Sequence, residues 1–244
     1  MRIFAVIPAR GGSKSVRQKN IKRLGAHPLI AYTIVLAKMS KMIERVIIST
    51  DSKEIADIAI KYGAEVPFMR PPEFAQDDSG DFEWLEHLIN YLEKKENKPA
   101  EYLIHLRPTT PFREVEVVDD AINYFLKNES ATSLRSVSPV SHPPQKIFKM
   151  EGPYLKGFFN NDHRPEYYNL PRQAFPQTYL PNGYVDIVKT STIKKGLTHG
   201  DKMLGYITDP VPDIDNERDF HEASTVLNDK KFNPIINYLR RNYE

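Results

Sequence analysis

The sequence contains no cysteine and no long apolar run. The absence of cysteine excludes disulfides, thiolate metal sites and a cysteine nucleophile, and it fits a reducing compartment. No apolar stretch approaches the roughly 20 residues that a membrane span needs, so we expect no membrane partner. The chain begins directly with a strand-like run that is too short for a signal peptide, which predicts a cytoplasmic protein.

An excess of charge of one sign is also missing. The formal net charge is +2 over 244 residues, which argues against a nucleic-acid partner and predicts that any anion binding is local. Hydrophobic residues make up 40% of the chain and charged residues 27%, an ordinary share for a globular protein. This length and composition predict one large domain with a real core, with room for a small appendage.

Short apolar runs alternate with segments whose apolar residues have helical spacing. The predicted strands lie at residues 3–7, 45–50, 65–69, 102–106, 131–140, 183–189 and 203–208. In the first half of the chain, an amphipathic helix is predicted between successive strands. This alternation predicts a three-layer α/β fold with a doubly wound, mostly parallel sheet.

The alternation breaks after the fifth of these strands. Residues 141–181 contain seven prolines and few apolar runs, and such a segment is too long for an ordinary loop. We interpret it as an excursion from the sheet with a function of its own. The predicted organisation is a core of residues 1–140 and 182–244, with residues 141–181 inserted.

The loop after the first strand combines two glycines with four cations, Arg10, Lys14, Arg17 and Lys19. Glycine lets backbone N–H groups approach a ligand, and clustered cations neutralise several negative charges. The loop lacks the glycine spacing of a P-loop and of the dinucleotide fingerprint. A flexible basic surface loop is the alternative, but its place at the carboxyl end of a predicted central strand favours phosphate binding.

Two carboxylates near the carboxyl-terminal end, Asp213 and Asp215, are separated by one residue. In an extended segment their side chains point the same way, so both can reach one cation. Oxygen ligands suit Mg²⁺, which takes one or two carboxylates together with substrate phosphates. On residue types alone, a helix N-cap with acids that complement the dipole explains the pair equally well.

Two arginines follow predicted strands at the same edge of the sheet. Arg107 comes after the fourth strand and Arg70 after the third, and charge at this edge is typical of a binding site. A salt bridge to a loop acid, Asp77 or Asp81, is the alternative for both arginines. His105 alternates within a strand and is interpreted as a hydrogen-bonded core residue.

Five stretches of the chain resemble one family. They are IPARGGSKSVRQKN at residues 7–20, STDSKEIADIAIKYGAEV at 49–66, RPPEFAQD at 70–77, RPTTPFR at 107–113 and PRQAFPQTYLPNG at 171–183 together with DID at 213–215. The family is that of the CMP-sialic acid synthetases, or acylneuraminate cytidylyltransferases, whose signature is close to IPARGGSKG-x-x-x-KN. The resemblance covers about residues 1–220 and implies a nucleotide-diphospho-sugar transferase-like fold in which residues 141–181 form a dimerisation arm.

The resemblance implies that CTP and a 2-keto acid sugar give a CMP-sugar and pyrophosphate, with Mg²⁺ as cofactor, in a homodimer. The residues that it implies for catalysis are Arg10, Lys14, Asp213 and Asp215, and the last two are also the metal ligands. The implied nucleotide-binding residues are Arg10, Gly11, Lys14, Lys19, Asn20, Arg70 and Ser79. The implied sugar-binding residues are Arg107, Thr109 and Asp186, with Lys146 and Arg172 reaching the sugar carboxylate from the arm of the neighbouring subunit.

Three positions depart from the pattern of the family. Arg107 stands where most sialic acid enzymes have glutamine, Asp186 where they have an aromatic residue, and Asp81 where serine is usual. We expect Arg107 and Asp186 either to form an ion pair or to read an altered sugar substituent together. The alternatives for function are the same chemistry on another acid, such as an eight-carbon keto-deoxy sugar or a phosphonate, and a non-catalytic nucleotide-binding scaffold.

Overall fold

The computed structural model describes residues 1–13, 15–97, 99–159 and 161–244. The strands in these residues are β1 Ile3–Pro8, β2 Arg23–Leu24, β3 His27–Pro28, β4 Arg45–Ser49, β5 Tyr102–His105, β6 Ser133–Pro139, β7 Phe148–Glu151, β8 Tyr154–Gly157, β9 Tyr179–Lys189 and β10 Met203–Ile207. The α-helices are α1 Leu29–Met39, α2 Lys53–Lys61, α3 Asp81–Lys94, α4 Val115–Leu126, α5 Thr190–Ile193, α6 Glu217–Val226 and α7 Asn233–Tyr243. No helix in the described ranges has the length and apolar character needed to span a bilayer.

Six of the strands form one sheet in the order β10-β6-β9-β5-β1-β4. All neighbours pair in parallel except β9, which runs antiparallel to both β5 and β6. The prediction of a mostly parallel sheet is confirmed. Strand β9 is reversed within the sheet, and it returns the chain from the excursion.

Helices cover both faces of the sheet, as the continuous apolar character of β1 predicts. On one face Ile3, Ala5 and Ile7 pack in a core with helices α1, α4 and α7. On the other face Phe4 and Val6 pack against side chains of α3 and α5. The three-layer α/β architecture is therefore confirmed, and it leaves the carboxyl ends of the parallel strands free to carry loops.

The strand predicted at residues 65–69 is wrong. Only Glu65 pairs, through a single bridge to Ile47, with its N–H 2.8 Å from the carbonyl oxygen of Val46. Pro67 lies two residues further on and has no N–H to donate, so the hydrogen-bond ladder to β4 stops there. The segment then leaves the sheet edge and carries Arg70 towards the loop that follows.

The excursion contains a short antiparallel hairpin of β7 and β8 and several turns of 3-10 helix. Strand β9 begins at Tyr179, earlier than the predicted start at residue 183, and Tyr179 pairs with Pro139 of β6. Large apolar side chains of the excursion face outwards, and Met150, Tyr154 and Leu155 are each more than 60% exposed. The division into core and insertion stays a prediction.

Candidate active site

A cleft opens where the carboxyl ends of β1 and β5 meet, which is where open α/β sheets bind ligands. Its volume is about 620 Å³. Eight of the residues predicted from the sequence line this cleft: Arg10, Lys19, Asn20, Arg70, Ser79, Arg107, Thr109 and Asp215. The fold therefore brings together the loop after β1, residues 70–80, the end of β5 and the segment before α6.

Internal hydrogen bonds shape the loop after β1. The side-chain amide of Asn20 donates to the carbonyl oxygen of Arg10 over 3.0 Å. The amide N–H of Gly11 donates to Oδ1 of Asp51 over 2.8 Å, so this amide is turned towards Asp51. Lys14, which the sequence predicts as a phosphate ligand, lies outside the described residues.

Arg10 reaches across the cleft to residues 70–80. Its Nη1 donates to the carbonyl oxygen of Gln76 over 2.7 Å and lies 3.1 Å from Oδ1 of Asp77. The hydroxyl of Ser79 shapes the same loop, because it accepts from the Gln76 N–H and donates to the Glu73 carbonyl. The two loops that border the cleft are thus joined by a charged contact that a bound anion would compete with.

Arg70 lies deeper in the wall of the cleft. Its Nε donates to Oγ of Ser49 over 3.0 Å and its Nη2 to the carbonyl oxygen of the same residue over 2.6 Å. The guanidinium also lies over the ring of Trp84, 5.4 Å from its centre. Burial lowers the pKa of Arg70 to about 10, which keeps it protonated at neutral pH. The alternative interpretation of Arg70, a salt bridge to Asp77 or Asp81, is not what these contacts show, since its guanidinium donates to Ser49.

The segment before α6 is anchored through a single apolar residue between two carboxylates. Ile214 is fully buried, and its N–H donates to the carbonyl oxygen of Thr109 over 2.8 Å. Lys19 donates to the carbonyl oxygen of Ile214 over 2.8 Å and lies 3.4 Å from Oδ1 of Asp215. Asp213 and Asp215 are both exposed. The anchoring therefore holds the backbone while both carboxylates stay accessible.

The alternative that Asp213 and Asp215 cap a helix is wrong. Asn216 is the N-cap of α6, and its side chain accepts from the N–H groups of Arg218 and Asp219. The carboxylate of Asp219 accepts in return from the N–H groups of Asp215 and Asn216. The capping role is thus filled by other side chains, and neither Asp213 nor Asp215 is needed for it.

The donor set of the pair fits Mg²⁺. No group of three or more His, Cys, Asp or Glu side chains that could hold a metal ion occurs within the described ranges. Mg²⁺ needs no such group, because it keeps several waters and uses one or two carboxylates with substrate phosphates. The exposed carboxylate of Asp215, which lines the cleft, is therefore a suitable ligand for an ion that also binds substrate phosphates.

A second cavity of about 540 Å³ adjoins the cleft, and Arg107 lines both. The other residues that line it are Arg135, Ser138, Pro139, Val140, Leu180, Pro181, Asn182, Gly183, Pro210, Val211 and Asp213. Asp213 thus lines the second cavity, whereas Asp215 lines the cleft, so the expectation that both side chains point the same way is not met within either cavity alone. The segment around the buried Ile214 and the side chain of Arg107 separate two cavities of different chemistry.

Arg107 is held between two carboxylates. Its Nη1 donates to Oδ2 of Asp186 over 2.9 Å, and its Nη2 donates to Oδ2 of Asp81 over 3.0 Å. The expected ion pair with Asp186 and the alternative contact with Asp81 therefore occur together. Burial alone raises the pKa of Asp81, but the neighbouring His105 and Arg107 and hydrogen bonds from Trp84 and Arg107 outweigh it, and the pKa lies below its usual value.

Three neighbouring strands place a row of charged and polar side chains under Arg107. Asp186 on β9 pairs in register with His105 on β5 and with Arg135 on β6. Two nitrogens of Arg135 lie 3.4 Å from the Asp186 carboxylate. Sequence reasoning missed Arg135, although a charged residue inside the run SLRSVS of a predicted strand is a usable signal.

The interpretation of His105 as a hydrogen-bonded core residue is wrong in one respect. The ring is buried, but its Nε2 has no hydrogen-bond partner among the described residues, and its Nδ1 lies 3.9 Å from Oδ2 of Asp81. Burial lowers the pKa of His105, and the positive charge of Arg107 lowers it further. The imidazole is therefore neutral at pH 7.

Arg113 is a second residue that sequence reasoning left without a role. It is fully buried and donates to the carbonyl oxygens of Tyr184, Gly183 and Arg107, and to the hydroxyl of Thr33. Burial lowers its pKa to about 9. Its hydrogen bonds join the end of β5 to Gly183 and Tyr184, which form the bend in β9 where the pairing with β6 shifts register.

The remaining predicted sugar ligands lie in the excursion. Lys146 ends one turn of 3-10 helix and Arg172 begins another. Neither of them lines the cleft or the second cavity, as the described residues define these. A role for the two cations at this site therefore requires the excursion of another subunit.

Comparison with known proteins identifies relatives. The sequence profile of the family described as cytidylyltransferase matches residues 4–156. The N-acylneuraminate cytidylyltransferase of Escherichia coli O18:K1:H7 is 34% identical over 240 residues, which cover 97% of this chain and 55% of that protein. The CMP-N,N'-diacetyllegionaminic acid synthase of Legionella pneumophila is 42% identical over 146 residues, covering 59% of this chain and 61% of that protein.

The chain thus spans 55% and 61% of the lengths of these two curated relatives. Among solved structures, a CMP:2-keto-3-deoxy-manno-octonic acid synthetase in complex with CTP is similar, with a TM-score of 0.67. The alignment covers 93% of this chain and 98% of that chain at 14% identity. At this identity the likeness concerns the fold, which agrees with the nucleotide-diphospho-sugar transferase-like fold expected from the sequence.

Proposed function

The chain belongs to the cytidylyltransferase family, and from this premise we propose that it activates an acidic nonulosonic, sialic-acid-like sugar with CTP. The products are the CMP-sugar and pyrophosphate. Two of its relatives are named as an N-acylneuraminate cytidylyltransferase and a CMP-N,N'-diacetyllegionaminic acid synthase, and both names describe this type of sugar.

The observation that carries the proposal is the pair of adjoining cavities. The cleft contains basic residues suited to phosphates, and the second cavity is lined mainly by apolar residues. One carboxylate of the Asp213–Asp215 pair faces each cavity, and Arg107 faces both. A reaction between a nucleotide and a sugar needs two such sites that meet at the reacting phosphate.

In this proposal the cleft binds CTP. Arg10 and Lys14 neutralise charge on the phosphates, because transfer of a nucleotidyl group requires alignment and electrostatic stabilisation more than covalent chemistry from the protein. Lys19 and Asn20 hold the loop and the neighbouring carboxylate in place, which their hydrogen bonds to Ile214 and Arg10 support. Arg70, Ser79 and the backbone near Gly11 shape the nucleotide end of the cleft.

Mg²⁺ is the proposed cofactor, and Asp213 and Asp215 are its proposed protein ligands. When bound, the ion would neutralise charge on the phosphates and hold the reacting groups together. Lys19 restrains the backbone between the two carboxylates, so the pair is ordered before the ion arrives. The sugar hydroxyl would form a bond to the α-phosphorus while the bond to the bridging α–β oxygen breaks. Pyrophosphate would leave along the side of the cleft that Arg10 lines, and the hydroxyl proton would pass to solvent.

The second cavity, which Arg107 lines, is the proposed place of the sugar. Thr109 lines the adjoining cleft, and the buried Asp186 would act through its ion pair with Arg107. Lys146 and Arg172 would reach the sugar carboxylate from the arm, residues 141–181, of a second subunit. The exposed apolar side chains of the hairpin, Met150, Tyr154 and Leu155 among them, support burial against another copy. We therefore propose a homodimer, and cytoplasmic localisation stays a prediction.

The test is an assay of pyrophosphate release that crosses the four ribonucleoside triphosphates with a panel of keto-acid sugars. We expect release with CTP and a nine-carbon acid sugar, and dependence on Mg²⁺. If the protein prefers an eight-carbon keto-deoxy sugar or a phosphonate, the proposed substrate class is wrong but the proposed cytidylyl transfer stands. No release with any pair, in a protein that still binds CTP, would make the chain a nucleotide-binding scaffold.

A further inference from the structure

Arg135 stands at the base of the second cavity, where one part of its guanidinium is engaged and another part is not. Its Nη2 lies 3.4 Å from Oδ2 of Asp186, and its Nε lies 3.4 Å from Oδ1. The Nε is buried and makes no hydrogen bond among the described residues, whereas the side chain as a whole stays 27% exposed. The exposed part of the guanidinium therefore lines the cavity and can donate to a ligand there.

The other polar side chains of the cavity wall are engaged with one another. Asn182 donates to the hydroxyls of Ser138 and Thr208 over 2.7 and 2.6 Å. Ser138 in turn donates to the carbonyl oxygen of Thr208. Arg107 directs both Nη groups to carboxylates. Because these groups are already hydrogen-bonded, Arg135 is the wall side chain best placed to form a new hydrogen bond with a ligand.

The charge at this place does not favour an anion. Two guanidinium groups, those of Arg107 and Arg135, are matched by the carboxylates of Asp186 and Asp81, and a third carboxylate, Asp213, also lines the cavity. The cations are thus already neutralised. An additional anion would gain no net attraction, whereas a neutral oxygen acceptor would gain a charge-assisted hydrogen bond.

The rest of the wall selects for an apolar group beside that acceptor. Its apolar side chains are those of Pro139, Val140, Leu180, Pro181, Pro210 and Val211. A carbonyl oxygen that carries a methyl or another small alkyl group satisfies both parts of the wall, since burial of the alkyl group is favourable and the oxygen is hydrogen-bonded.

We infer that Arg135 is a specificity-determining residue that donates a hydrogen bond to the carbonyl oxygen of an N-acyl substituent on the sugar, while the acyl methyl group packs in the second cavity. This inference rests on the proposed function and narrows its substrate class to N-acylated acid sugars. It leaves the sugar carboxylate outside this cavity, where the cations of a neighbouring arm can meet it.

The experiment compares two substrates in each variant, an N-acetylated nonulosonic acid and the same sugar after removal of the acetyl group. The wild type should prefer the acetylated sugar in kcat/KM. Loss of one charge-assisted hydrogen bond in Arg135→Met should raise KM for the acetylated sugar about 10- to 100-fold. The preference between the two sugars should collapse, and KM for CTP should stay within about twofold.

Two further variants separate recognition from structure. Arg135→Lys keeps a donor and should restore part of the preference, and Arg240→Met, on an exposed face of α7, should match the wild type. An equal loss for both sugars in Arg135→Met would overturn the inference and leave the proposed function intact. A larger loss for a sugar with an additional anionic group would overturn it in favour of an anion site.

Binding without turnover provides the independent measurement. In ligand-observed saturation-transfer NMR without CTP, the acetyl methyl protons should receive strong saturation from the wild type and little from Arg135→Met. If no sugar is turned over but this difference is seen, the proposed function fails and the assignment of Arg135 stands. If methyl saturation is equal in both proteins, the assignment fails whatever the turnover.

Discussion

Nη1 of Arg107 and Oδ2 of Asp186 lie 2.9 Å apart, in an ion pair that joins the end of β5 to the middle of β9. The Asp186 side chain is only 4% exposed, so Arg107 and Arg135 replace the water that a carboxylate would otherwise contact. Because removal of one partner leaves the other charge buried, each single change should cost more than the pair contributes.

A double-mutant cycle tests this coupling. Arg107→Gln and Asp186→Asn should each lower the free energy of unfolding, and the double variant should lose less than the sum of the two. We expect a coupling of about 1–3 kcal/mol from denaturant unfolding. Strict additivity would show that Arg135 and Asp81 compensate fully for the lost partner.

Arg113→Met should destabilise the protein by about 3 kcal/mol or more. The change leaves carbonyl oxygens at the end of β5 and in the bend of β9 without their donor inside the core. Urea unfolding checks the expectation, and Arg240→Met serves as the matched control, expected to change stability by less than about 0.5 kcal/mol. A value near that of the control would mean that the acceptors find other donors.

The pH dependence of stability should change in His105→Gln. The folded protein lowers the pKa of His105 through burial, so the unfolded chain binds the proton more readily. Stability from this residue is therefore present above the unfolded pKa of about 6.5 and is lost as pH falls below it, by at most about 1.4 kcal/mol per pH unit.

The measurement is the free energy of unfolding between pH 5 and 8 for the wild type and the variant. The wild type should lose more stability on acidification than His105→Gln does. Asp81, whose pKa is also lowered, acts in the same direction, but it contributes only at lower pH, near its own titration range. Parallel curves for the two proteins would contradict the role of His105.

Asp215→Asn should remove most of the cytidylyltransferase activity and leave the fold intact. The carboxylate is 73% exposed, so its loss costs little packing but weakens a proposed Mg²⁺ ligand. Activity and its Mg²⁺ dependence are measured beside Asp201→Asn, an exposed acid that lines neither described cavity. Unchanged turnover with an unchanged Mg²⁺ requirement would refute the role of Asp215.

Mixing two inactive variants tests the arm in trans. Asp215→Asn damages the core of a site and Arg172→Ala damages the arm, so a mixed dimer would contain one site with both parts intact. Random exchange of subunits should restore about one quarter of wild-type activity. Recovery should be absent when either variant is incubated alone, and no recovery in the mixture would place Arg172 outside the site.

Structural features that depend on residues close together in the chain could be predicted from the sequence. Apolar spacing predicted the helices and most strands of the sheet, because periodicity reports directly which face of an element is buried. The strand at residues 65–69 failed at Pro67, where the chemistry of one residue outweighs the apolar pattern. The early start of β9 at Tyr179 depends on its long-range pairing with Pro139, which local pattern does not contain.

The sequence by itself determined the three-layer α/β class, the basic loop after β1 and the presence of two carboxylates separated by Ile214. Tertiary structure alone decided that Asp213 and Asp215 face different cavities, that Asn216 and Asp219 cap α6, and that Arg135 shares Asp186 with Arg107. The reason is physical: periodicity is encoded within a segment, whereas the charge environment of a side chain is set by strands that meet only in the folded sheet.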